Sequence, residues 1–240
     1  LGKSEKLAYR RILLKISGEA IQGRGSPFDL ERIDRIVREI DRVRGLDVEV
    51  GLVIGGGNIV RGRELAGAGL SRIKSDYMGM LATVINGVLF QSCFTARGIS
   101  AVLTSPLAAG AVVETENADF VERSLREKRV VIFSGGTGNP FFTTDSAAAL
   151  RGCEIGAQVL LKATKVDGVY DRDPAVHHDA RFYPEITYDD VLERSLEVMD
   201  MTAVSMCRDN RLPIIVFNVF KESALERIVT GEKIGTMIKE

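Results

Sequence analysis

Four short apolar runs in this chain end in turns of glycine, lysine and small hydroxyl residues, and these turns hold most of the side chains able to do chemistry. The first run ends Lys15-Ile16-Ser17-Gly18-Glu19, and the second ends Gly55-Gly56-Gly57-Asn58 with Arg61 close behind. Another passes into Gly135-Gly136-Thr137-Gly138-Asn139-Pro140-Phe141-Phe142-Thr143-Thr144-Asp145, and another into Lys162-Ala163-Thr164-Lys165-Val166-Asp167-Gly168. Glycine lets backbone N–H groups approach phosphate oxygens, and a following helix N-terminus adds partial positive charge. One such turn is commonplace. Several on one sheet edge, with Lys15, Arg61 and Lys162 beside them, point to phosphate chemistry.

The common alternatives lose support. The sequence has no GxxxxGK[ST] phosphate loop. Gly55-x-Gly57 and Gly136-x-Gly138 both lack the third glycine of a dinucleotide fingerprint. There is no GxSxG elbow, HExxH or spaced Cys/His cluster for hydrolase or zinc chemistry. Phosphoryl transfer fits what remains. Two like charges about 4 Å apart repel by about 4 kcal/mol at an effective dielectric near 20, so two anionic substrates meet only where fixed cations and N–H groups receive them. An acceptor that is itself a phosphate oxygen is already an anion, so no side-chain base is required.

The turns need strands to carry them. Residues 12–16, 48–54, 99–103, 130–133, 159–161 and 214–217 are rich in β-branched residues, and most are nearly continuous in apolar character, as parallel strands buried on both faces are. Between the first two, Leu30, Ile33, Val37, Ile40 and Val43 recur opposite Glu31, Arg35, Arg38 and Asp41, which predicts an amphipathic helix capped by Asp29. Further helices are expected over 119–128, 146–156, 188–196 and 201–211. Residues 168–188 read as a long functional or mobile excursion. The uncharged stretch 77–96 has roughly the 20-residue length of a membrane span, but Thr83, Asn86, Gln91, Ser92 and Thr95 interrupt it. It reads as a helix opened near Ser75-Asp76 and buried in a core or subunit interface, with Gly79, Thr83 and Gly87 forming a groove for another helix. The alternation of strands and helices makes the fold α/β, with ligands expected outside the carboxyl ends of the strands.

Composition sets the outer limits. The 240 residues are 45% hydrophobic and 27% charged, an ordinary globular balance. With 32 Lys and Arg against 33 Asp and Glu, the net charge is −1, which argues against a dedicated nucleic-acid or anionic-membrane binder. The three cysteines, Cys93, Cys153 and Cys207, are far apart and imply no disulfide framework, as in a reduced cytoplasmic protein. The opening Leu1-Gly2-Lys3-Ser4-Glu5-Lys6 is too polar for a signal peptide and, lacking an initiator Met, reads as a trimmed or incomplete start.

These turns, with Asp76 before Tyr77-Met78-Gly79-Met80-Leu81-Ala82-Thr83, Lys162 to Tyr170, Met199-Asp200 and the ending Gly235-Thr236-Met237-Ile238, resemble the bacterial uridylate (UMP) kinases of the amino-acid kinase fold family. The most specific element is Gly136 to Asp145. The resemblance implies a three-layer αβα sandwich with a mainly parallel central sheet. It further implies one amino-acid kinase domain over 1–240, with an acceptor part to about residue 155 and an ATP part beyond it. The implied reaction is ATP + UMP → ADP + UDP with Mg²⁺, in pyrimidine nucleotide biosynthesis, in a cytoplasmic homohexamer activated by GTP and inhibited by UTP. The uncharged helix would fit that family's subunit interface.

Carried over residue by residue, the resemblance implies that Lys15, Ile16, Ser17, Gly18, Gly57, Arg61, Thr164, Tyr170 and Asp173 hold ATP. Gly56, Asp76, Thr137, Gly138, Asn139, Pro140, Phe141, Phe142, Thr143 and Thr144 would hold UMP, Asp76 accepting from ribose hydroxyls. Lys15, Arg61, Asp145, Lys162 and Asp200 would form the catalytic set, Asp145 and Asp200 organising lysines and Mg²⁺. Asp200 is the one candidate for direct metal contact. No effector contact is assigned to Gly23 to Phe28 or to Glu114 to Arg129.

Read from spacing alone, these residues have plainer alternatives. Lys15 could reach solvent from a strand end, Arg61 could be a surface arginine, Asp76 a helix-start carboxylate, and Asp145 a cap for a helix begun at Ser146. Asp167, Asp171 and Asp173 could be turn formers, His177-His178 an exposed pair, the six methionines core filler and the cysteines structural. Two rival functions stand beside the first. One is a related kinase of carboxylates or carbamates, such as acetylglutamate or aspartate kinase; the other is a nucleotide-binding storage or sensor protein.

Overall fold

The structure, a computed structural model, describes residues 7–196 and 198–240. The polar opening Leu1 to Lys6 lies outside the described residues. Six central strands come from the apolar runs: β1 (Arg11–Ile16), β2 (Glu49–Ile54), β3 (Ala101–Ser105), β5 (Val130–Phe133), β6 (Val159–Thr164) and β10 (Ile214–Asn218). Shorter pieces are β4 (Glu114–Thr115), β7 (Val169–Tyr170), β8 (Phe182–Tyr183), β9 (Glu185–Thr187) and β11 (Thr236–Lys239). Nine of them form one sheet in the order β4-β3-β5-β2-β1-β6-β10-β11-β9. All neighbours run parallel except β10 and β11. β7 and β8 form a separate antiparallel pair, so the 168–188 excursion has structure of its own.

Because both faces of the sheet are buried, its side chains divide by strand alternation into two cores. On one face, Ile12, Leu14 and Ile16 pack with residues of α1 (Leu30–Gly45), α3 (Arg72–Ala96) and α8 (Ala224–Val229). On the other, Leu13, Leu160 and Ile214 pack with residues of α4 (Ala118–Arg126), α5 (Thr144–Glu154), α6 (Tyr188–Glu193) and α7 (Met201–Asp209). The short α2 (Gly62–Gly67) packs on α3. The result is the expected three-layer sandwich. Asp29 caps α1 by accepting from the Arg32 N–H, and Arg42 and Arg44 in the last turn face the negative end of the helix.

Several local expectations change. α3 begins at Arg72, so Asp76 lies a turn inside the helix rather than at its start. α3 is long and apolar enough to cross a membrane, but Phe90 and Phe94 are fully buried in the core. Thr83 and Gly87 of its small-residue stripe face the sheet rim, whereas a Cβ on Gly79 would meet open space. A Cβ on Gly87 would lie 2.5 Å from Leu103, and one on Gly56 would lie 2.7 Å from the Gly79 carbonyl. The methionines are not all core filler: Met80 and Met199 are buried, whereas Met78 and Met201 are exposed. His177 and His178 are exposed. Cys207 is buried, and burial pushes its thiol up to about 12, which suits an inert structural role.

Candidate active site

β1 is the strand at which the chain changes direction across the sheet, with β2 on one side and β6 on the other. Such a switch point opens a crevice at the carboxyl ends of the strands. β1 and β6 pair in register, with Lys15 opposite Lys162. Each lysine stands two residues beyond a core leucine, Leu13 or Leu160, so both leave the sheet on the α5 face. Two ammonium groups on adjacent strands repel, and Asp145 stands against both.

Asp145 Oδ1 lies 2.7 Å from Lys15 Nζ, and its Oδ2 lies 2.9 Å from Lys162 Nζ. The Lys15 contact is an ion pair out of hydrogen-bond alignment, which leaves Oδ1 buried without an aligned donor. Lys162 also donates to the Val198 carbonyl. Burial opposes charge on Asp145, but the two lysines outweigh it and hold the carboxyl down at about 2. Burial, reinforced by Lys15, lowers the Lys162 ammonium below the ordinary lysine value against the pull of Asp145.

Two helix starts hold this cluster. Thr143 caps α5, its hydroxyl accepting from the N–H groups of Asp145 and Ser146 at 3.0 and 3.3 Å. The same hydroxyl donates to Asp200, which caps α7 by accepting from the Ala203 N–H at 2.9 Å. Ser146 Oγ also donates to the Asp200 carboxylate, 3.0 Å from either oxygen. The positive ends of α5 and α7 are thereby tied together beside the lysine pair. Asp145 is a cluster member; capping falls to its neighbour Thr143.

Two cavities open here and meet at Glu19, which lines both. The first, about 390 Å³, is lined by Gly56, Gly57, Arg61, Arg72, Asp76, Gly136 and Phe142 to Thr144, among others. Close backbone approach builds it. A Cβ on Gly18 would sit 2.4 Å from Asn58 Oδ1, locking the β1 turn against the glycine turn after β2. The paired amides of Asn58 and Asn86 exchange hydrogen bonds of 2.8 and 3.1 Å, and Asn86 also donates to the Gly55 carbonyl at 2.7 Å. Thr83 Oγ1 accepts from the Gly135 N–H at 2.7 Å, joining α3 to the start of the 135–143 loop. Gly135, Gly136 and Gly138 adopt φ of 73°, 60° and 78°, a region that a side chain would strain.

The second cavity, about 660 Å³, is lined by Lys15, Ser17, Lys162, Thr164, Lys165, Gly168, Tyr170, Asp173, Arg194 and Val198, among others. Both volumes lie within the range of small-molecule sites. The turn between Val166 and Gly168, which both line the second cavity, is clamped: Asp167 accepts from Asn218 and pairs with Lys221 at 2.8 Å. Lys221, then Asn218, hold the Asp167 carboxyl below its usual range. Thr164 Oγ1 donates to the Val166 and Phe217 carbonyls.

The sequence-derived residues therefore divide. Lys15, Ser17, Thr164, Tyr170 and Asp173 line the second cavity, and Lys162 joins them. Gly56, Asp76, Thr143 and Thr144 line the first, together with Gly57 and Arg61 from the set expected at ATP. Arg61 is exposed but is not a lone surface arginine. It pairs with Glu19 at 2.6 Å and Glu64 at 3.1 Å. Ile16 is fully buried in the core, so only its backbone is open to contact. Gly18, Thr137, Gly138, Asn139, Pro140 and Phe141 stand outside both linings, and Phe142 within the first. Asp145 and Asp200 lie behind the cavities rather than on them. Glu19 and Arg72 escaped the sequence reading. Glu19 follows the Ser-Gly turn directly, a signal that could have been used; Arg72 has only its four-residue spacing from Asp76.

Among the described residues, no group of three His, Cys, Asp or Glu side chains could cage a metal ion. Mg²⁺ is usually carried by substrate phosphates with one or two carboxylates and several waters. Asp200 spends its oxygens on Thr143, Ser146 and Ala203, and Asp145 spends its own on two lysines. The donor set fits an ion that arrives on a nucleotide and touches these carboxylates at most through water.

Comparison with known proteins places this geometry. The model of the amino acid kinase family matches residues 10–218. A uridylate kinase of Mannheimia succiniciproducens is 52% identical over 97% of this chain and 99% of its own length. One from Serratia proteamaculans is 51% identical over 100% of both chains. The crystal structure of UMP kinase from Bacillus anthracis superposes with a TM-score of 0.93 at 35% identity, covering 96% of each chain. That of Ureaplasma parvum UMP kinase gives 0.90 at 34% identity, covering 96% of this chain and 99% of the other.

Proposed function

The chain belongs to the amino acid kinase family and, within it, to the uridylate kinases, and from that premise we propose that it transfers the γ-phosphoryl of ATP to UMP, giving ADP and UDP. The observation that carries the reading is the pair of cavities meeting at Glu19 beside the in-register lysines Lys15 and Lys162. The first cavity takes UMP and the second takes ATP, so the γ-phosphoryl and the acceptor phosphate meet at the shared wall.

There the residues have separable tasks. Lys15 and Lys162 neutralise the transferring group, which carries spread negative charge in a loose transition state. Asp145 keeps the two lysine side chains side by side. Arg61, parked on Glu19 and Glu64, turns to the phosphates when they arrive. Asp76 accepts from a single Arg72 Nε–H shared between its two oxygens and from the Phe141 N–H, which leaves acceptor capacity for a ribose hydroxyl. Gly56 and the 135–144 loop enclose the acceptor, while Ser17, Gly18 and Gly57 give backbone N–H groups to phosphates. Thr164, Tyr170 and Asp173 hold the adenosine. Mg²⁺ arriving with ATP would offset phosphate charge, with Asp145 and Asp200 as the nearby carboxylates that could meet it through water. The acceptor oxygen is an anion at neutral pH and needs no base.

The resemblance extends the proposal to pyrimidine nucleotide biosynthesis in the cytoplasm, activation by GTP, inhibition by UTP and assembly as a homohexamer. Tyr77, Met78, Leu81 and Ile85 on α3 are apolar and exposed, as a subunit contact would require. Residues up to about 155 form the acceptor part of one domain and the rest the ATP part, with Lys15 and Ser17 crossing between them.

A steady-state assay offering UMP, CMP and N-acetylglutamate with MgATP tests the reading. UDP formation with UMP preferred supports it. Turnover of N-acetylglutamate, or tight ATP binding without any turnover, overturns it.

A further inference from the structure

Arg72, which no motif singled out, lies at the opening turn of α3 with its guanidinium on the wall of the first cavity. Its Nε stands 2.9 and 2.8 Å from the two Asp76 oxygens, four residues on along the helix. The same guanidinium lies over the Phe141 ring, 5.5 Å from its centroid. Phe141 closes the triangle, because its N–H donates to Asp76 Oδ2 at 2.8 Å. It does so at φ 74°, a left-handed conformation that bulky residues rarely adopt, with its ring mostly exposed. An exposed aromatic residue in a disfavoured backbone region needs something to hold it. Among the described contacts, the Asp76 carboxylate and the Arg72 face supply that hold.

We infer that Arg72 is a positioning residue for the acceptor: it fixes the rotamer of Asp76 and stacks Phe141, so that α3 and the 135–143 loop present one preformed surface to the nucleotide. Arg72 acts through these two neighbours and not on the transferred phosphoryl. Asp76 alone could swing on its χ1, and the loop alone could leave the left-handed state. The three together hold a single arrangement before the ligand arrives, which lowers the ordering cost of binding. Lysine cannot replace arginine fully here. It keeps the charge at four-residue spacing but has no planar face for the ring and no Nε–H held in the plane of that face for the carboxylate.

The inference rests on UMP occupying the first cavity, and the test separates the two ideas. Wild type, Arg72→Lys, Arg72→Gln and Phe141→Leu are compared by steady-state kinetics and by calorimetric titration of UMP without ATP. Arg72→Gln is expected to raise the KM for UMP by about tenfold, with the KM for ATP within about twofold and kcat falling less than KM rises. Arg72→Lys should fall between it and wild type. The double variant Arg72→Gln/Phe141→Leu should cost less than the sum of its parts, because both act on one arrangement. An unchanged UMP affinity in Arg72→Gln overturns the inference, as does an equal rise in both KM values or full additivity with Phe141→Leu. If Arg72→Gln fails to fold, Phe141→Leu and Arg72→Lys decide by the same split between the two KM values. Wild type that neither binds nor phosphorylates UMP would instead overturn the substrate assignment.

Discussion

Replacing Asp145 by Asn removes one negative charge from between Lys15 and Lys162 while preserving its volume. In the folded protein this carboxyl titrates at about 2 against an ordinary 3.8, a difference equivalent to about 2 kcal/mol. Because the folded value is the lower one, that stabilisation is fully present above about pH 4 and disappears as pH falls through about 2. The substitution should cost more than this, since it also leaves two buried ammonium groups facing one another. Breaking a buried ion cluster by removing one member costs about 3–5 kcal/mol, which for a chain of this size lowers Tm by about 6–20 °C near pH 7. Thermal unfolding followed by circular dichroism reads this directly. The variant has a second signature: Lys162 already titrates low, so it escapes the repulsion by losing its proton, and the deficit relative to wild type should shrink as pH rises toward about 10. MgATP should raise the Tm of the variant more than that of wild type, because phosphates supply the missing negative charge. A variant melting with wild type at pH 7, or a deficit constant from about pH 6 to 10, would refute the coupling of these three groups.

Other substitutions isolate other parts of the site. Asp76→Asn should raise the KM for UMP more than that for ATP, with equal effects on both contradicting its place at the acceptor. Arg61→Ala should chiefly lower kcat, by about a hundredfold if it reaches the transferred group, and unchanged turnover in the same assay would remove it from that role. Thr143→Val should lose about 1 kcal/mol from the α5 cap in urea unfolding and also lower kcat, because the hydroxyl that caps α5 also anchors Asp200. A stability loss with intact kcat would show that the Asp200 link is idle.

The central strands were legible because β1, β2, β5, β6 and β10 are buried on both faces and so carry unbroken apolar runs. Their carboxyl-end turns were legible for the same reason: glycine and lysine interrupt those runs abruptly. The edges were not. β4, β9 and β11 are two to four residues long and take their partners from the sheet rather than from any pattern of their own. The start of α3 is hidden in the sequence because its first turn carries the charged Arg72 and Lys74 ahead of the uncharged stretch. Among the site residues, Lys15, Lys162 and Asp145 could be named from their positions, but not their grouping, which depends on β1–β6 register and on the approach of α5. Arg72 was invisible for a different reason. Its partners are a carboxylate one turn away and an aromatic ring 69 positions along the chain, and nothing in a single sequence links the second to the first.

The pairing of β1 with β6 also bears on how such a chain could diversify. The spacing between Lys15 and Lys162 is a property of backbone pairing, so no loop change alters it, whereas one inserted residue within either strand would send a lysine to the opposite layer. Selectivity for the incoming molecule, by contrast, is written on α3 and the 135–144 segment, which border the sheet without belonging to it. Redesign for a new acceptor should therefore begin at that periphery and leave the seam between the two strands untouched.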